Sequence, residues 1–353
     1  MFEDLIVIDC STVLAGPSVG TFFAELGASV TKIENPAIPD VTRSWKLASE
    51  DRNSSVSAYF SSVNYHKQYL KLNFRESSDI LHLTALIEKA DILLSNFKKG
   101  DAEKFGLTDA YLQSLNPRLI IGKISGFGAE SDRVAYDLIL QAETGFMSMN
   151  GTPESGPVKM PVALIDVLAA HQLKAGLLTA LLHRTKTNKG QTVSVSLYDA
   201  AITSLANQAS NYLMEGHIPR RIGSLHPNIA PYGEIFSTND GKLITFAIGS
   251  NKHFQILCGF LGLSGLISDM RFAENTDRVK NRQILQEIIQ EIIFRFQADE
   301  ILDFMHKQFV PAGMIQDLEQ VFENPAARHL VRTEKIENTE TKRVTQIAFQ
   351  LKP

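Results

Sequence analysis

The stretch that decides the fold is "LIVIDCSTVLAGPSVGTFFAELGASVTKIEN", residues 5–35. Its first segment, "LIVIDCS", is short, apolar and rich in β-branched residues, which predicts a buried strand. The middle segment has apolar side chains at helical spacing and ends at Gly27, as a helix ends at a C′ glycine. "SVTKIEN" predicts a second strand. Strand, helix and strand within about thirty residues form a βαβ unit, and therefore a parallel sheet with a right-handed crossover.

The same alternation continues along the chain. The segments "YLKLNF", "DILLSNF", "LIIGKISGFG" and "QTVSVSLYDA" predict further strands, with helical patterns between them. A long helix is expected over residues 167–184. This order predicts an α/β fold whose large domain is a Rossmann-like, open parallel sheet covered by helices.

The pattern changes at residue 216. The segment 216–232 contains prolines and little periodicity, which indicates a linker. Beyond it, "GEIFSTNDGKLITFAIG" predicts a hairpin that turns at Asn239-Asp240-Gly241, followed by helices. We therefore expect a large domain at 1–215, a smaller α+β domain at 233–310, and a C-terminal segment, 311–353, that returns to the large domain.

Composition narrows the class of protein. The chain has 353 residues, 44% of them hydrophobic, and a net charge of −4 with acids and bases interspersed. No basic stripe indicates a nucleic-acid partner. Two distant cysteines, Cys10 and Cys258, argue against a disulfide framework or a cysteine-based zinc site. No apolar run reaches the length needed to span a membrane. These features predict a cytoplasmic protein without a bound metal, a nucleic-acid partner or a membrane partner.

A nucleotide site is expected where the strands of the sheet end. The first such loop, "STVLAGPS", lacks G-x-G-x-x-G, which argues against binding of a dinucleotide such as NAD. Scattered basic residues are usually solvated surface, but the same residues gathered around one cleft would bind phosphates. The basic residues in question are Lys32, Arg43, Arg75, Lys98, Lys104 and Arg133.

A single acid, Asp166, interrupts the apolar run "MPVALIDVLAAHQ", residues 160–172. Aspartate is favoured as the N-cap of a helix, and this is one interpretation. The other is a carboxylate nucleophile that the positive end of the helix keeps ionised and that partial burial strips of water. Both interpretations stay open. A second acid, Asp137 in the pair Tyr136-Asp137, also lies at the start of a predicted helix. We expect Asp137 to cap that helix.

Nine motifs in order resemble the family III CoA-transferases, the group that contains formyl-CoA transferase, crotonobetainyl/carnitine CoA-transferases and the α-methylacyl-CoA racemases. They span nearly the whole chain. The motifs are "VLAGP", "LGASVTKIENP" with "DVTR", "ADILLSNFKKGDAEKFGL", "LNPRLIIGKISGFG", "AYDLILQAETGFM", "ALIDVLAAH", "NKGQTVSVSLYDA", "HPNIAPYGEIFSTNDG" and "VPAGMIQDLEQVFENPAAR".

The resemblance implies a mechanism and a set of site residues. Asp166 would be the nucleophile that exchanges CoA between an acyl-CoA and a carboxylic acid, through an aspartyl anhydride and an aspartyl-CoA thioester. Its neighbours would be Tyr136, Asp137 and Leu14. Coenzyme A is then a substrate and not a permanently bound cofactor. The implied CoA-binding residues are Ala15, Asn35, Leu72, Asn73, Phe74, Arg75, Asn96, Phe97, Lys98, Lys104, Arg133, Val134, Ala135 and Tyr136.

The resemblance also implies an interlocked homodimer, with each active site between one subunit's large domain and the other's small domain. The chain departs from some members. Racemases of the family have a histidine where this chain has Tyr136, and a tyrosine is a poor proton shuttle near neutral pH. Formyl-CoA transferases have a glutamine in place of Leu14. A transferase is therefore favoured, with a 2-methylacyl-CoA racemase or a non-catalytic acyl-CoA-binding protein as alternatives.

Overall fold

The computed structural model describes residues 1–352. Its contacts divide the chain into two compact units. The larger unit consists of Met1–Met149, Val158–Pro219 and the chain from His329 onward, and the smaller unit of Asn150–Pro157 and Arg220–Arg328. Each unit is described by itself below.

A six-stranded parallel sheet forms the centre of the larger unit, with the strand order β3-β2-β1-β4-β5-β6. This confirms the predicted α/β class. The strands are β1 (Ile6–Asp9), β2 (Ser29–Glu34), β3 (Gln68–Lys71), β4 (Ile92–Ser95), β5 (Ile120–Ser125) and β6 (Thr192–Ser196). Every residue of β4 is buried, as expected for a parallel strand covered on both faces.

Helices cover both faces of this sheet. A short 3₁₀-helix, Val41–Ser44, accompanies them. The α-helices are α1 (Ala15–Glu25), α2 (Ala58–Ser62), α3 (Ser77–Ile87), α4 (Asp101–Lys104), α5 (Asp109–Leu115), α6 (Asp137–Glu143), α7 (Phe146–Met149), α8 (Leu164–Thr187), α9 (Leu197–Thr203) and α10 (Ala206–Glu215).

Helix α8 is the longest helix and carries Asp166. Its buried residues include Ile165, Ala169, Leu173 and Leu177, which recur every four residues along one stripe. The stripe packs against α1, β5 and β6. Contrary to the sequence-based expectation, this helix is long and apolar enough to cross a membrane. Its buried stripe identifies it as a core helix of the larger unit.

The smaller unit has its own antiparallel sheet and core. Its strands are β7 (Tyr232–Ser237), β8 (Leu243–Ala247) and β9 (Ala312–Met314), in the order β7-β8-β9. Its helices are α11 (Asn251–Phe260), α12 (Asn275–Lys280), α13 (Arg282–Ile293), α14 (Ala298–Lys307), α15 (Leu318–Glu323) and α16 (Pro325–Arg328), with a 3₁₀-helix at Ser264–Ile267. The predicted hairpin is present, and Gly241 adopts the positive φ of +75° that its turn requires.

The smaller unit extends to Arg328, beyond the residue 310 expected from the sequence. The reason is that β9 pairs with β8 and so continues the small sheet. Of the C-terminal segment 311–353, only the part from His329 onward belongs to the larger unit. There β10 (Val331–Ile336) and β11 (Thr339–Val344) form an antiparallel pair. Glu25 of α1 holds the following turn by accepting hydrogen bonds from Thr345 and from the backbone N–H of Gln346.

Candidate active site

The order of the parallel strands creates a crevice between the loops that follow β1 and β4. Strands β1 and β4 are neighbours, but β1 is followed by β2 on one side of the pair and β4 by β5 on the other side. Ligands of open α/β sheets bind at such a point, where the strand order reverses. Asn96, directly after β4, joins the two loops. Its Oδ1 accepts from the backbone N–H of Thr12 at 3.1 Å, and its Nδ2 donates to the Thr12 carbonyl at 3.0 Å. The side chain of Asn96 therefore fixes the first loop.

A buried ion pair also supports the loop that follows β1. Lys32 donates to the carbonyl oxygen of Ser11 at 2.6 Å and pairs with Asp40 at 3.1 Å, and both charged side chains are fully buried. Asp40 in turn accepts from the backbone N–H of Val13 at 3.2 Å. Val13 is held at a φ of +73°, which is unfavourable for a β-branched residue. The loop is thus fixed in a strained conformation just before Leu14 and the start of α1.

Asp166 lies in the first turn of α8. The helix begins at Leu164 and its N-cap is Ala163, which makes no side-chain cap. The expectation that Asp166 is itself the N-cap is therefore wrong, because the helix starts two residues earlier. At the third helical position the carboxylate still lies near the positive end of the helix dipole.

Asp137 caps this helix instead. Its Oδ1 accepts from the backbone N–H of Ile165 at 2.7 Å, and its Oδ2 accepts from Nε2 of Gln141 at 2.6 Å. The sequence predicted that Asp137 caps its own helix, α6, but Tyr136 is the N-cap there and no side chain caps it. Asp137 is buried and stands beside Asp166.

Burial, together with the nearby charge of Asp137, raises the pKa of Asp166 to about 7. This corrects the expectation that the helix start keeps Asp166 firmly ionised, because desolvation and the neighbouring carboxylate outweigh the helix dipole. Burial and the carboxylates of Asp166, Asp137 and Asp40 also raise the pKa of Tyr59 to about 12. At neutral pH the cleft thus holds a carboxyl group near its midpoint and a protonated phenol.

These groups face one cleft of about 480 Å³. All four residues assigned to catalysis or to its surroundings meet there, namely Asp166, Asp137, Tyr136 and Leu14. The remaining lining residues are Val13, Trp45, Tyr59, Leu138, Lys159, Pro161, Val162 and Ala163. Residues 159–163 directly precede α8, so their proximity to Asp166 could have been inferred. Nothing in the local pattern of Trp45 or Tyr59 pointed to the cleft.

The side chains of several residues assigned to CoA binding pack in the core or form hydrogen bonds within the fold. Leu72 is 3% exposed and Ala15 is 4% exposed, and both belong to hydrophobic cores. Only their main chains could meet a ligand. Phe74 and Phe97 pack edge-on against each other, with ring centroids 5.8 Å apart. Asn35 uses its Oδ1 to accept from the backbone N–H of Ala37, while Asn73 does the same for Arg75.

The basic residues fall into two groups. Lys32 and Arg43 are engaged within the fold, since Lys32 pairs with Asp40 and Arg43 with Glu34. By contrast, Arg75, Lys98, Lys104 and Arg133 are exposed. Lys104 pairs with Asp101 at 3.3 Å, and Arg133 pairs with Glu143 and stacks on Phe127. Val134 is exposed and Ala135 packs on Gly126. The second group is exposed to solvent, whereas Lys32 and Arg43 are held by ion pairs within the fold.

Comparison with known proteins agrees with this geometry. The profile of CoA-transferase family III matches residues 2–352. A succinate–glutarate CoA-transferase of Agrobacterium fabrum is 35% identical over 325 residues, 90% of this chain and 81% of that protein. An acetyl-CoA:oxalate CoA-transferase of Acetobacter aceti is 34% identical over 94% of this chain and 85% of its own.

A crystal structure of a CAIB/BAIF family protein from Brucella suis superposes with a TM-score of 0.86. The two chains are 33% identical, and the match covers 99% of this chain and 92% of that one. The open parallel sheet, the cleft beside the loop that follows β1 and these relatives lead to one conclusion: the chain belongs to CoA-transferase family III and is an enzyme of the CoA-transferase class.

Proposed function

We propose that the enzyme moves CoA from an acyl-CoA to a carboxylic acid, with Asp166 as the nucleophile. The ionised carboxylate attacks the thioester carbonyl of the donor, forms a mixed anhydride and releases CoA thiolate. The thiolate attacks the aspartyl carbonyl, which gives an aspartyl-CoA thioester and frees the donor acid. The acceptor carboxylate attacks that thioester, forms a second mixed anhydride and expels CoA thiolate. The thiolate then attacks the acceptor's carbonyl and breaks its bond to the aspartyl oxygen. The acceptor leaves as acyl-CoA, and Asp166 regains its charge with one oxygen from the acceptor.

The position of Asp166 carries this proposal: it lines the cleft in the first turn of α8, next to Asp137, and burial there raises its pKa to about 7. A carboxylate that is destabilised by burial and by Asp137 is a stronger nucleophile than one in water. Acylation converts it into a neutral ester-like group. Each acyl intermediate therefore relieves the repulsion from Asp137 and the unfavourable burial of charge. The site favours the covalent intermediates relative to the free carboxylate.

Other residues of the cleft support the reaction. Tyr59 stays protonated, because its pKa is about 12, and it can donate a hydrogen bond to an oxygen of the substrate. Leu14, Trp45 and Val162 provide apolar surface that excludes water from the reactive anhydride.

We also propose that the loops after β1, β3 and β4 hold the CoA moiety. Exposed Arg75, Lys98 and Lys104 lie on or beside these loops and would pair with phosphates. The interlocked homodimer stays a prediction of the family resemblance, as does the role of each domain in completing the site. The relatives are named for succinate, glutarate and oxalate, which supports short dicarboxylic acids as the substrates.

A transfer assay tests the proposal. Wild-type enzyme is incubated with an acyl-CoA and a panel of carboxylic acids, and the new acyl-CoA is separated and quantified. Transfer should occur with at least one pair and should be lost in Asp166→Ala. Full activity in Asp166→Ala would exclude the mechanism. Exchange of the α-hydrogen in D₂O without an acceptor acid would point to a racemase, and binding of CoA without turnover by any pair would point to a binding protein.

A further inference from the structure

The cleft has an unequal distribution of charge. Two carboxyl groups, Asp166 and Asp137, face it, together with the phenols of Tyr59 and Tyr136. Among the described residues that line the cleft, Lys159 is the one cation. Nothing in the reaction proposed above requires a cation in this cleft, so Lys159 calls for a separate explanation.

Lys159 has no ion-pair partner among the residues that the structure describes. Within residues 1–352, no carboxylate lies at ion-pairing distance from its Nζ. The Nζ donates only to the backbone carbonyls of Met160 and Pro161, both at 3.3 Å. These are long contacts to neutral acceptors in its own segment, and a carboxylate is a stronger partner for an ammonium group. The charge of Lys159 is therefore available to an anion in the cleft.

Hydrogen bonds tie the backbone next to Lys159 to the start of α8, while the Lys159 side chain itself is exposed. Gln141 accepts from the backbone N–H of Met160 at 2.8 Å and donates to Asp137 at 2.6 Å. Asp137 accepts from Ile165, the neighbour of Asp166 in α8. The segment that carries Lys159 is thus tied to the helix that carries the nucleophile. This arrangement places a cation and the carboxylate of Asp166 on the lining of the same cleft.

We propose that Lys159 binds the second carboxylate of a dicarboxylic substrate while the first reacts at Asp166. The inference rests on the proposed transferase function and assigns its specificity to one side chain. Without Lys159, the remote carboxylate of such a substrate would enter a cleft that already contains Asp166 and Asp137, and like charges repel. Lys159 offsets that repulsion. A monocarboxylic acid has no group for Lys159 to bind.

The experiment compares acids of equal chain length with one or two carboxylates. Succinate is paired with butyrate and glutarate with valerate as acceptors. The quantity compared is kcat/KM for the acceptor, because in a ping-pong reaction it reports only the half-reaction with that acid. Lys159→Gln should lower kcat/KM for succinate and glutarate roughly tenfold and leave the values for butyrate and valerate unchanged. Lys159→Arg should restore most of the dicarboxylate activity.

A matched control is Lys89→Gln, which removes an exposed lysine that does not line the cleft. It should alter neither class of acceptor. An equal loss for one and two carboxylates in Lys159→Gln would overturn the inference, because Lys159 would then act on the reacting carboxylate or on CoA. Unchanged activity with dicarboxylates would overturn it as well.

A binding measurement separates failure of this inference from failure of the proposed function. Glutarate should raise the Tm of the wild-type enzyme more than valerate does, and the difference should disappear in Lys159→Gln. If no acid supports transfer but this difference is found, the function is wrong and the subsite stands. If transfer occurs and glutarate stabilises both proteins equally, the function stands and the subsite is wrong.

Discussion

The backbone N–H of Ile165 donates a 2.7 Å hydrogen bond to Oδ1 of Asp137, so a side chain from α6 caps the helix that carries Asp166. Asp137 therefore acts on Asp166 in two ways. It fixes the start of α8, and its charge contributes to the raised pKa of Asp166. The two effects can be separated by substitution.

Asp137→Asn keeps an oxygen that can accept from Ile165 but removes the charge. We expect kcat/KM for the acyl-CoA to rise with pH through about 7 in the wild-type enzyme, because Asp166 must be ionised to attack. In Asp137→Asn the midpoint should move to lower pH. It should not fall to the value of a free carboxyl group, because burial is the larger cause of the shift. Initial rates from about pH 5 to about pH 9 measure the midpoint.

Asp137→Ala is the companion variant, because it removes the cap together with the charge. It should show a similar shift of the midpoint and, in addition, a loss of about 1 kcal/mol in the free energy of unfolding. If the midpoint stays in place in both variants, the charge of Asp137 does not act on Asp166.

Asp166→Asn should make the protein more stable at alkaline pH. The pKa of Asp166 is about 7 in the folded chain and 3.8 in an unperturbed carboxyl group, so between these values the folded state holds a proton that the unfolded chain has lost. Stability of the wild-type protein therefore falls as pH rises through this window. Above pH 7 the variant should gain on the order of 4 kcal/mol in the free energy of unfolding, and near pH 4 the gain should vanish.

Urea unfolding at several pH values measures this gain. Asp132→Asn, at an exposed acid, is the control and should show no such pH dependence. A variant at position 166 that is less stable than the wild-type protein at alkaline pH would contradict the assigned pKa.

Substitutions of Leu72 and Lys98 should distinguish a residue that packs in the core from a residue that binds CoA. Leu72→Ala removes a side chain that is 3% exposed in a core, so it should lower the free energy of unfolding by about 2–4 kcal/mol. The KM for acyl-CoA should stay unchanged in the folded enzyme. Lys98→Ala should leave stability unchanged and raise this KM severalfold, with a weaker dependence on ionic strength. The reverse pattern would show that the CoA moiety lies elsewhere.

Val13 offers a test of the strained loop. Gly adopts a φ of +73° without steric strain, whereas Ala does not. Val13→Gly should therefore unfold at a higher urea concentration than Val13→Ala. The free energy of unfolding of the two variants should differ by about 1 kcal/mol. At an ordinary φ the order would be reversed, because glycine loses more conformational entropy on folding. The reversed order would mean that Val13 does not hold this conformation in solution.

The parallel sheet was predictable because each βαβ segment carries its own periodic pattern of apolar residues. The hairpin at Asn239-Asp240-Gly241 was predictable for the same local reason. The extent of the smaller unit was not, because β9 belongs to it through pairing with β8, a contact between segments far apart in sequence. The length of α8 was also underestimated, since its start at Leu164 has no side-chain cap to mark it.

The site was predicted in part. Family motifs identified Asp166, Tyr136, Asp137 and Leu14, and all four line one cleft. The cap by Asp137 joins residues 28 positions apart, so no local pattern shows it. The raised pKa of Asp166 depends on burial and on that same neighbour, and neither can be derived from a helix start alone. The burial of Leu72 likewise depends on the sheet as a whole.

Isotope transfer tests the assignment of Asp166 as nucleophile most directly. The acceptor acid is labelled with ¹⁸O in its carboxylate, the enzyme turns over once, and the peptide that contains Asp166 is examined by mass spectrometry. The mechanism requires one acceptor oxygen to remain on the Asp166 carboxylate, so the peptide should gain one ¹⁸O, and the donor acid of the next turnover should carry it away. Turnover without label in this peptide, or with label on another residue, would contradict the assignment.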